Sequence, residues 1–361
     1  MIPRDVFEQT LLGFFSPIAS YLDDPSVSEI MINGPKEVFI ERKGIISRTD
    51  IQFESSDALE SALHNLAQFV GRHVDAHRPI LEARLPDGSR VQAIFPPAAP
   101  DGPFVAIRRF FQEKLTIDAL IEYGSLTSEA SEFLRLAVEM KQNIIVAGGT
   151  GSGKTSLLNV LSSFIDPKER VVVIEDSKEL QLRRPHVVQL ECIPPDAKGR
   201  GQVTSRDLFR ATLRMRPDRI VLGEIRGGEA LDLIQAMTSG HGGCLSTVHA
   251  TYPIDTLNRL ETMALMSDVI LPLYALRAQL SSAINFIVQT ARLSDGSRCI
   301  THITEVSGFN ETSGYVLSDV FKRTDIGSHT AALKYTGHLP QCTEAIHAHG
   351  LRLPRVMYAK Q

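Results

Sequence analysis

Residues 144–155 read IIVAGGTGSGKT, an uninterrupted apolar run followed at once by a glycine-rich loop. The loop satisfies the pattern G-x-x-x-x-G-K-[ST], and the residues after it place Leu157, Leu161 and Phe164 on one face of a helix. Strand, loop and helix in that order are the context the motif requires, because glycines let backbone N–H groups surround a phosphate at a helix N-terminus. The stretch therefore predicts a nucleotide-binding loop.

The positions of this loop have separate predicted roles. Lys154 is expected to reach the β- and γ-phosphate oxygens, and Thr155 to hold Mg²⁺ through its hydroxyl. The other positions are expected to bind phosphate mainly through their backbone: Gly148, Gly149, Thr150, Gly151, Ser152 and Gly153. The chain lacks the N-K-x-D element with which small GTPases read guanine, so ATP is the favoured nucleotide.

Apolar strands and helices alternate on the C-terminal side of the loop. Strands are predicted at Asn143–Ala147, Arg170–Ile174, Arg219–Leu222 and Cys244–Val248, and helices at Lys154–Ile165, Thr204–Met215 and Ala230–Met237. This alternation is typical of an α/β fold with a mostly parallel sheet covered on both faces. A later run, INFIVQTARL, reaches a turn at Asp295–Gly296 and predicts an antiparallel hairpin beside that sheet.

The N-terminal third has a different pattern. Short β-like runs and turns surround one helical stretch with apolar residues from Leu59 to Phe69, and a hairpin turns at Pro86–Gly88. Since 361 residues correspond to about two domains, we predict an α+β domain over 1–112. A linker is expected over 113–127, and a P-loop α/β domain with a C-terminal β/α extension over 128–361.

Composition narrows the function classes further. The 38 basic residues are outnumbered by 42 acidic ones, so no overall positive field attracts nucleic acid or anionic lipid. No apolar stretch approaches the length of a membrane span, and the N-terminus lacks the features of a signal peptide. Four scattered cysteines without a C-x-x-C pair fit a reducing compartment. A cytoplasmic protein without a transmembrane segment is expected.

Acidic residues and histidines follow the predicted strands, where a parallel sheet presents its ligand-binding edge. Glu224 is expected to polarise the attacking water through Mg²⁺, and Glu175 and Asp176 follow the preceding strand. Each acid has the alternative of an ordinary strand-end or helix-start carboxylate. His249 follows its strand at this edge and is expected to sense the γ-phosphate, while His241 lies in the loop before the strand. Either histidine could instead be structural.

Four blocks in this order resemble the type II/IV secretion ATPase superfamily. They are GGTGSGKT (148–155), VVVIEDSKELQL (171–182), LRMRPDRIVLGEIRGGEA (213–230) and SGHGGCLSTVHAT (239–251). They correspond to that family's Walker A motif, Asp box, Walker B motif with Glu, and His box. The segments LPDGSRVQAIFPP, VAIRRF and SDGSRCITHITEV are most similar to the tight-adherence (Flp) pilus assembly ATPases.

The resemblance implies an architecture and a function. A smaller PAS-like α+β domain would precede a RecA-like P-loop ATPase domain, with ATP between the two. The chain would form a homo-hexamer that hydrolyses ATP with Mg²⁺ and powers pilus assembly or protein secretion. Its partner would be an integral-membrane platform protein at the cytoplasmic face of the inner membrane. No stable binding of nucleic acid is expected.

The resemblance also assigns residues. Those with a catalytic role would be Glu224, Glu175, His249, Arg108 and Arg90, and Asp176 and His241 would join the loop in binding the nucleotide. Two positions depart from the family pattern, which usually has Asn where Thr251 stands and a small polar residue at Cys244. The alternative for Arg108 is a surface pair with Arg109.

The sequence is also compatible with two other classes of function. A RecA-like nucleic-acid motor would use the stripe formed by Arg206, Arg210 and Arg214 on one helix face, which could equally be a solvated face or a subunit contact. The chain has no Trp, and no aromatic residues alternate with basic ones, so stacking on bases is poorly supported. A scaffold that binds ATP without hydrolysing it is the third possibility.

Overall fold

The chain folds into two units, Met1–Glu113 and Lys114–Gln361. The computed structural model describes residues 10–42, 44–110, 115–182, 184–196, 199–325 and 331–358. The expected domain boundary between 112 and 113 lies outside the described residues. Among those that are described, none of the helices combines the length and the apolarity needed to cross a membrane.

The first unit is built on an antiparallel sheet of six strands. These are β1 (Val27–Asn33), β2 (Val38–Arg42), β3 (Ile45–Arg48), β4 (Ile80–Arg84), β5 (Arg90–Ile94) and β6 (Phe104–Arg108), in the spatial order β3-β2-β1-β6-β5-β4. Residues 10–14 are helical, and the 3₁₀ turn Ser16–Ile18 and the helices Ala19–Asp23 and Ser56–Phe69 follow. This is the small α+β unit that the sequence predicts.

One face of this sheet forms the core of the first unit. Alternate strand residues such as Val91 and Ile107 are buried, and they share a cluster with Leu59 and Leu63 of the helix Ser56–Phe69. Ser55 caps that helix, because its Oγ accepts a hydrogen bond from the Ala58 N–H. The strand residues in between point to the opposite face.

The second unit contains nine strands in one mixed sheet. They are β7 (Ile144–Gly148), β8 (Val171–Glu175), β9 (Val187–Glu191), β10 (Arg219–Leu222), β11 (Leu245–His249), β12 (Phe286–Arg292), β13 (Arg298–Asn310), β14 (Gly314–Arg323) and β15 (Leu333–Tyr335), in the order β15-β14-β13-β12-β7-β11-β10-β8-β9. The pairings from β12 through β7 to β9 are parallel, and those from β12 to β15 are antiparallel. The predicted parallel sheet and its antiparallel extension are both present.

Helices cover both faces of the parallel part. Ser128–Glu139 and Lys154–Ser162 pack on one face, and Ser205–Thr212, Glu229–Thr238, Pro253–Leu265 and Leu273–Ala283 pack on the other. The helices Ile117–Glu122 and Thr343–Ala348 and the 3₁₀ turn Arg355–Tyr358 complete the unit. The central strands are buried on both sides, which explains their unbroken apolar sequences.

Several elements are not part of the predicted pattern, among them a short helix and an edge strand. The predicted linker contains the helix Ile117–Glu122, capped by Thr116 and anchored by buried Leu120. A helix of six residues is too short to show a hydrophobic period. Strand β9 was also not predicted, because it is an edge strand whose residues are half-buried or exposed.

Candidate active site

The glycine-rich loop leaves the sheet at the end of β7 and enters the helix Lys154–Ser162. Gly151 and Gly153 have φ angles of 71° and 93°, which favour glycine. A Cβ atom at Gly148 would collide with the side chains of Thr290 and Ser152, so this position also requires glycine. The loop thus presents successive backbone N–H groups at a helix N-terminus, an arrangement that fits a phosphate group.

Lys154 and His249 meet beside this loop. The Lys154 side chain is buried, and its Nζ donates to the Gly149 carbonyl at 2.8 Å and lies 3.4 Å from His249 Nδ1. The parallel register of β11 and β7 pairs His249 with Gly148, which brings the imidazole to the loop. The predicted place of His249 at the ligand edge of the sheet is therefore observed.

Glu224 lies next to the same imidazole. The Gly223 N–H donates to the Ile174 carbonyl, and Thr247 Oγ1 donates to the Gly223 carbonyl at 2.7 Å, so the residue before Glu224 is held between β8 and β11. Glu224 Oε1 then lies 3.0 Å from His249 Nε2. The lysine, the histidine and the glutamate form one continuous set of contacts.

Arg226 extends this set and was not singled out from the sequence. Its Nε and one terminal nitrogen contact Glu224 Oε2 at 2.9 and 2.6 Å, and its other terminal nitrogen lies 2.7 Å from Asp176 Oδ2. The buried Glu229 carboxylate accepts from the Arg226 and Gly227 N–H groups and fixes this turn. An arginine two residues after a strand-end glutamate is the signal that could have indicated it.

Glu175 has a different environment from Asp176. Its carboxylate is buried, and Oε1 accepts hydrogen bonds from the Glu179 and Leu180 N–H groups at 3.0 and 2.9 Å. Burial raises the pKa of Glu175 to about 7. Glu175 therefore holds the loop that follows β8, and it packs against Gly223, where a Cβ atom would lie 3.0 Å from its Cγ.

His241 does not join the other predicted residues. It precedes β11, whereas His249 ends that strand, and a strand of five residues spans roughly 16 Å. His241 is thus at the amino edge of the sheet, opposite the phosphate loop. Its Nδ1 is buried and has no hydrogen-bond partner among the described residues. Strand direction therefore separates the two histidines, and a role of His241 in binding the nucleotide stays a prediction.

Arg90 and Arg108 lie side by side in the first unit. The strand register pairs Arg90 with Arg108 on one side and with Arg84 on the other. The same row continues from Arg108 to Glu29 and then to Glu41. The three arginines lie on the face opposite the core, so the register adds Arg84 to the two that the sequence resemblance assigns.

A family model described as "Type II/IV secretion system protein" matches residues 14–324. The chain belongs to this family. The predicted family, the α/β fold and the ATPase class are confirmed.

The secretion ATPase is similar to a conjugal transfer protein, a type IV secretion system protein and a solved ATPase. It is 31% identical over 326 residues to a putative conjugal transfer protein of Mycobacterium tuberculosis, covering 89% of this chain and 90% of the relative. It is 36% identical over 322 residues to the type IV secretion system protein VirB11 of Brucella suis, covering 80% and 88%. The solved ATPase DotB of Legionella pneumophila shares its fold, with a TM-score of 0.57 at 18% identity, covering 80% of this chain and 79% of DotB.

Two residues of the arginine stripe, Arg206 and Arg210, form ion pairs within the chain. Arg206 contacts Asp232 at 2.7 Å and Asp268 at 2.9 Å, and Arg210 contacts Asp232 at 2.8 Å. Asp232 belongs to the neighbouring helix Glu229–Thr238. These ion pairs reduce the positive charge that the stripe presents to solvent, which favours a role inside the fold over contact with a polynucleotide.

Proposed function

We propose that this chain is a Mg²⁺-dependent motor subunit that hydrolyses ATP to power pilus assembly or protein secretion. In this proposal it acts as a homo-hexamer at the cytoplasmic face of the inner membrane, and an integral-membrane platform protein is its partner. Relatives described as conjugal transfer and type IV secretion proteins support this assignment. Whether the motor extends, retracts or exports depends on that partner.

The observation that carries the proposal is the contact series from Lys154 through His249 to Glu224. Lys154 would bind the terminal phosphate oxygens once its ammonium leaves the Gly149 carbonyl. Glu224 would orient and polarise the attacking water. His249 would make the position of Glu224 depend on whether a nucleotide is bound at the loop. In these roles the three groups would provide the positioning and the compensation of charge that phosphoryl transfer needs.

The cation would be held at the first turn of the helix Lys154–Ser162. Thr155 is half-buried there and is the residue type that binds Mg²⁺ after a P-loop lysine. Bound Mg²⁺ would neutralise charge on the phosphate oxygens. Glu224 would meet the ion through a water, and Asp176 would help to keep Glu224 in place through Arg226.

The arginine row of the first unit would supply further positive charge. In the proposal Arg90 and Arg108 reach the phosphates, and Arg84 joins them because it occupies the same row. Fixed guanidinium groups suit this role, since they present several N–H donors in one plane and remain charged at any working pH. They can contribute on the order of 10³-fold to the rate of phosphoryl transfer.

Phosphate release measured with purified full-length protein tests the proposal. Lys154→Ala is expected to lose ATP binding, whereas Glu224→Gln is expected to bind ATP and lose turnover, because only the latter keeps the phosphate grip intact. A scaffold that binds ATP without hydrolysis would show no release in the wild type. Turnover at the wild-type rate in Glu224→Gln would refute the role of Glu224.

A nucleic-acid motor predicts a different result in the same assay. Its turnover would be stimulated by DNA and would fall steeply as salt increases, because counterions compete for the phosphate backbone. The ion pairs of Arg206 and Arg210 with Asp232 give no support to that behaviour.

A further inference from the structure

The hairpin formed by β12 and β13 contacts the phosphate loop through residues of both strands. Thr290 Oγ1 lies 2.8 Å from Ser152 Oγ and donates to the Ala147 carbonyl at 3.0 Å. Across the hairpin, Arg298 Nε donates to the Gly151 carbonyl at 2.9 Å. The second contact is at the tip of the loop, where the backbone must turn its N–H groups toward a phosphate.

The backbone of Arg298 has a second attachment. The buried Ser125 Oγ donates to the Arg298 carbonyl at 2.5 Å, and the Ile300 N–H donates to the Ser125 carbonyl at 3.1 Å. The guanidinium of Arg323 donates to the Gly124 carbonyl at 2.7 Å and to the Ile300 carbonyl at 3.2 Å. The segment 115–127, which follows the first unit in the chain, is therefore fixed to β13 beside Arg298.

The segment and the loop do not fill the space between them. A small open cavity of about 50 Å³ lies there, lined on one side by Leu115 and Leu120 and on the other by Ser156 and Leu157. Leu120 and Leu157 belong to one buried cluster, and the hydrogen-bonded hairpin adds a polar connection between the segment and the phosphate loop. It runs from Ser125 through Arg298 to Gly151.

We propose that Arg298 is a positioning residue that transmits the position of segment 115–127 to the phosphate loop. Its guanidinium restrains the Gly151 carbonyl, and this keeps the neighbouring N–H groups available to phosphate. A shift of the segment moves β13 and with it this restraint. The inference rests on the proposed function, because it concerns how the nucleotide site is tuned.

Equilibrium binding of a fluorescent ATP analogue with Mg²⁺ to the full chain tests this role. Arg298→Ala is expected to weaken binding by about tenfold, the effect of losing one charge-assisted hydrogen bond. The KM for ATP should rise by the same factor while kcat changes by less than about twofold, since Arg298 does not touch the reacting atoms. Arg298→Lys should recover part of the affinity, because its ammonium can still donate to the carbonyl.

The matched control is Arg352→Ala, which removes the same charge from an exposed position of the second unit. It is expected to bind like the wild type, and an equal loss in this variant would reject the specific role of Arg298. If Arg298→Ala folds poorly in a thermal melt, Arg298→Gln serves instead. Unchanged affinity in the folded variant, with binding still lost in Lys154→Ala, would reject this inference and leave the proposed function standing.

Transmission itself is tested by a double-mutant cycle with Ser125→Ala. Removing the Ser125 hydroxyl should weaken nucleotide binding by about threefold, the effect of one neutral hydrogen bond, in the wild-type background. In the Arg298→Ala background it should have no further effect, because the restraint on Gly151 is already gone. Additive losses would show that the two residues act independently and would overturn the proposal.

Discussion

The Nε2 atom of His249 lies 3.0 Å from Oε1 of Glu224, and this contact fixes the protonation state of the imidazole. On its other side Nδ1 faces the Lys154 ammonium at 3.4 Å. Because an ammonium only donates, Nδ1 must accept and Nε2 must carry the proton that is donated to Glu224. Burial and the charge of Lys154 lower the pKa of His249, which agrees with a neutral ring.

This geometry predicts an acid limb in the pH profile of ATP hydrolysis. Protonation of Nδ1 would set a positive ring against Lys154, so we expect kcat/KM to fall as His249 becomes charged. Because the pKa of His249 is lowered from 6.5, the fall should occur below that value. Rates measured from about pH 5 to about pH 8 with saturating Mg²⁺ would show it.

His249→Gln is the comparison for this profile. Glutamine keeps a donor near Glu224 and does not titrate. The variant should therefore be less active, and its kcat/KM should not fall at acidic pH. An identical acid limb in His249→Gln would assign it to another group.

Arg226 gives a second prediction, since its guanidinium holds Glu224 and Asp176 together. Without it the two carboxylates repel each other and Glu224 loses its fixed position. We expect Arg226→Ala to lower kcat by about tenfold, with the KM for ATP little changed, because the phosphate loop is untouched. Steady-state phosphate release measures both constants.

Arg226→Lys is the matched variant. It keeps the charge and loses the planar fork, so it should recover only part of the rate. A rate above that of the wild type in Arg226→Ala would show instead that the arginine restrains an active Glu224.

Sequence patterns predict those parts of the site that local chemistry determines. The loop from Gly148 to Thr155 is recognisable because glycines at positive φ and a following helix are local requirements. Glu224 and His249 could be placed at the ligand edge because each follows an apolar strand, and parallel strands end together. The ordered motifs added the family, which the comparison confirmed.

Other parts depend on register and on long-range contacts. Arg84 joins Arg90 only through the pairing of β4 with β5, and single-sequence patterns do not specify register. Arg298 reaches the loop from a hairpin far along the chain. The family resemblance puts His241 and His249 in one motif, and the strand between them carries them to opposite edges of the sheet.

The arginine row of the first unit gives a third prediction. If Arg84 acts with Arg108, alanine at either position should leave ATP affinity near normal and lower kcat by about tenfold or more, as expected for groups that compensate charge in phosphoryl transfer. Arg48→Ala is the control, because Arg48 lies on β3 at the far edge of the same sheet and pairs with Glu37. Unaltered turnover in Arg84→Ala and Arg108→Ala would show that these arginines are surface residues without a role in hydrolysis.

Glu175 provides a prediction about stability. Its pKa is 4.5 when unfolded and about 7 in the folded chain because of burial. Between these values the unfolded state loses a proton that the folded state keeps, so the free energy of unfolding falls as pH rises and levels off above about pH 7. The full decrease in the free energy of unfolding is on the order of 3 kcal/mol. Urea unfolding of the full chain at several pH values measures it.

Glu175→Gln removes this titration while its amide oxygen can still accept from the Glu179 and Leu180 N–H groups. The variant should therefore match the wild type near pH 4.5 and exceed its stability near pH 8. Glu132→Gln is the matched control, because Glu132 is an exposed residue of the helix Ser128–Glu139 and is not among the charges that raise the pKa of Glu175, so its substitution should leave the pH dependence unchanged. Since Glu175 is bound to the loop rather than to Glu224 or His249, the stabilised variant should retain most of its turnover. Complete loss of turnover in a stabilised Glu175→Gln would instead make the carboxylate a catalytic residue.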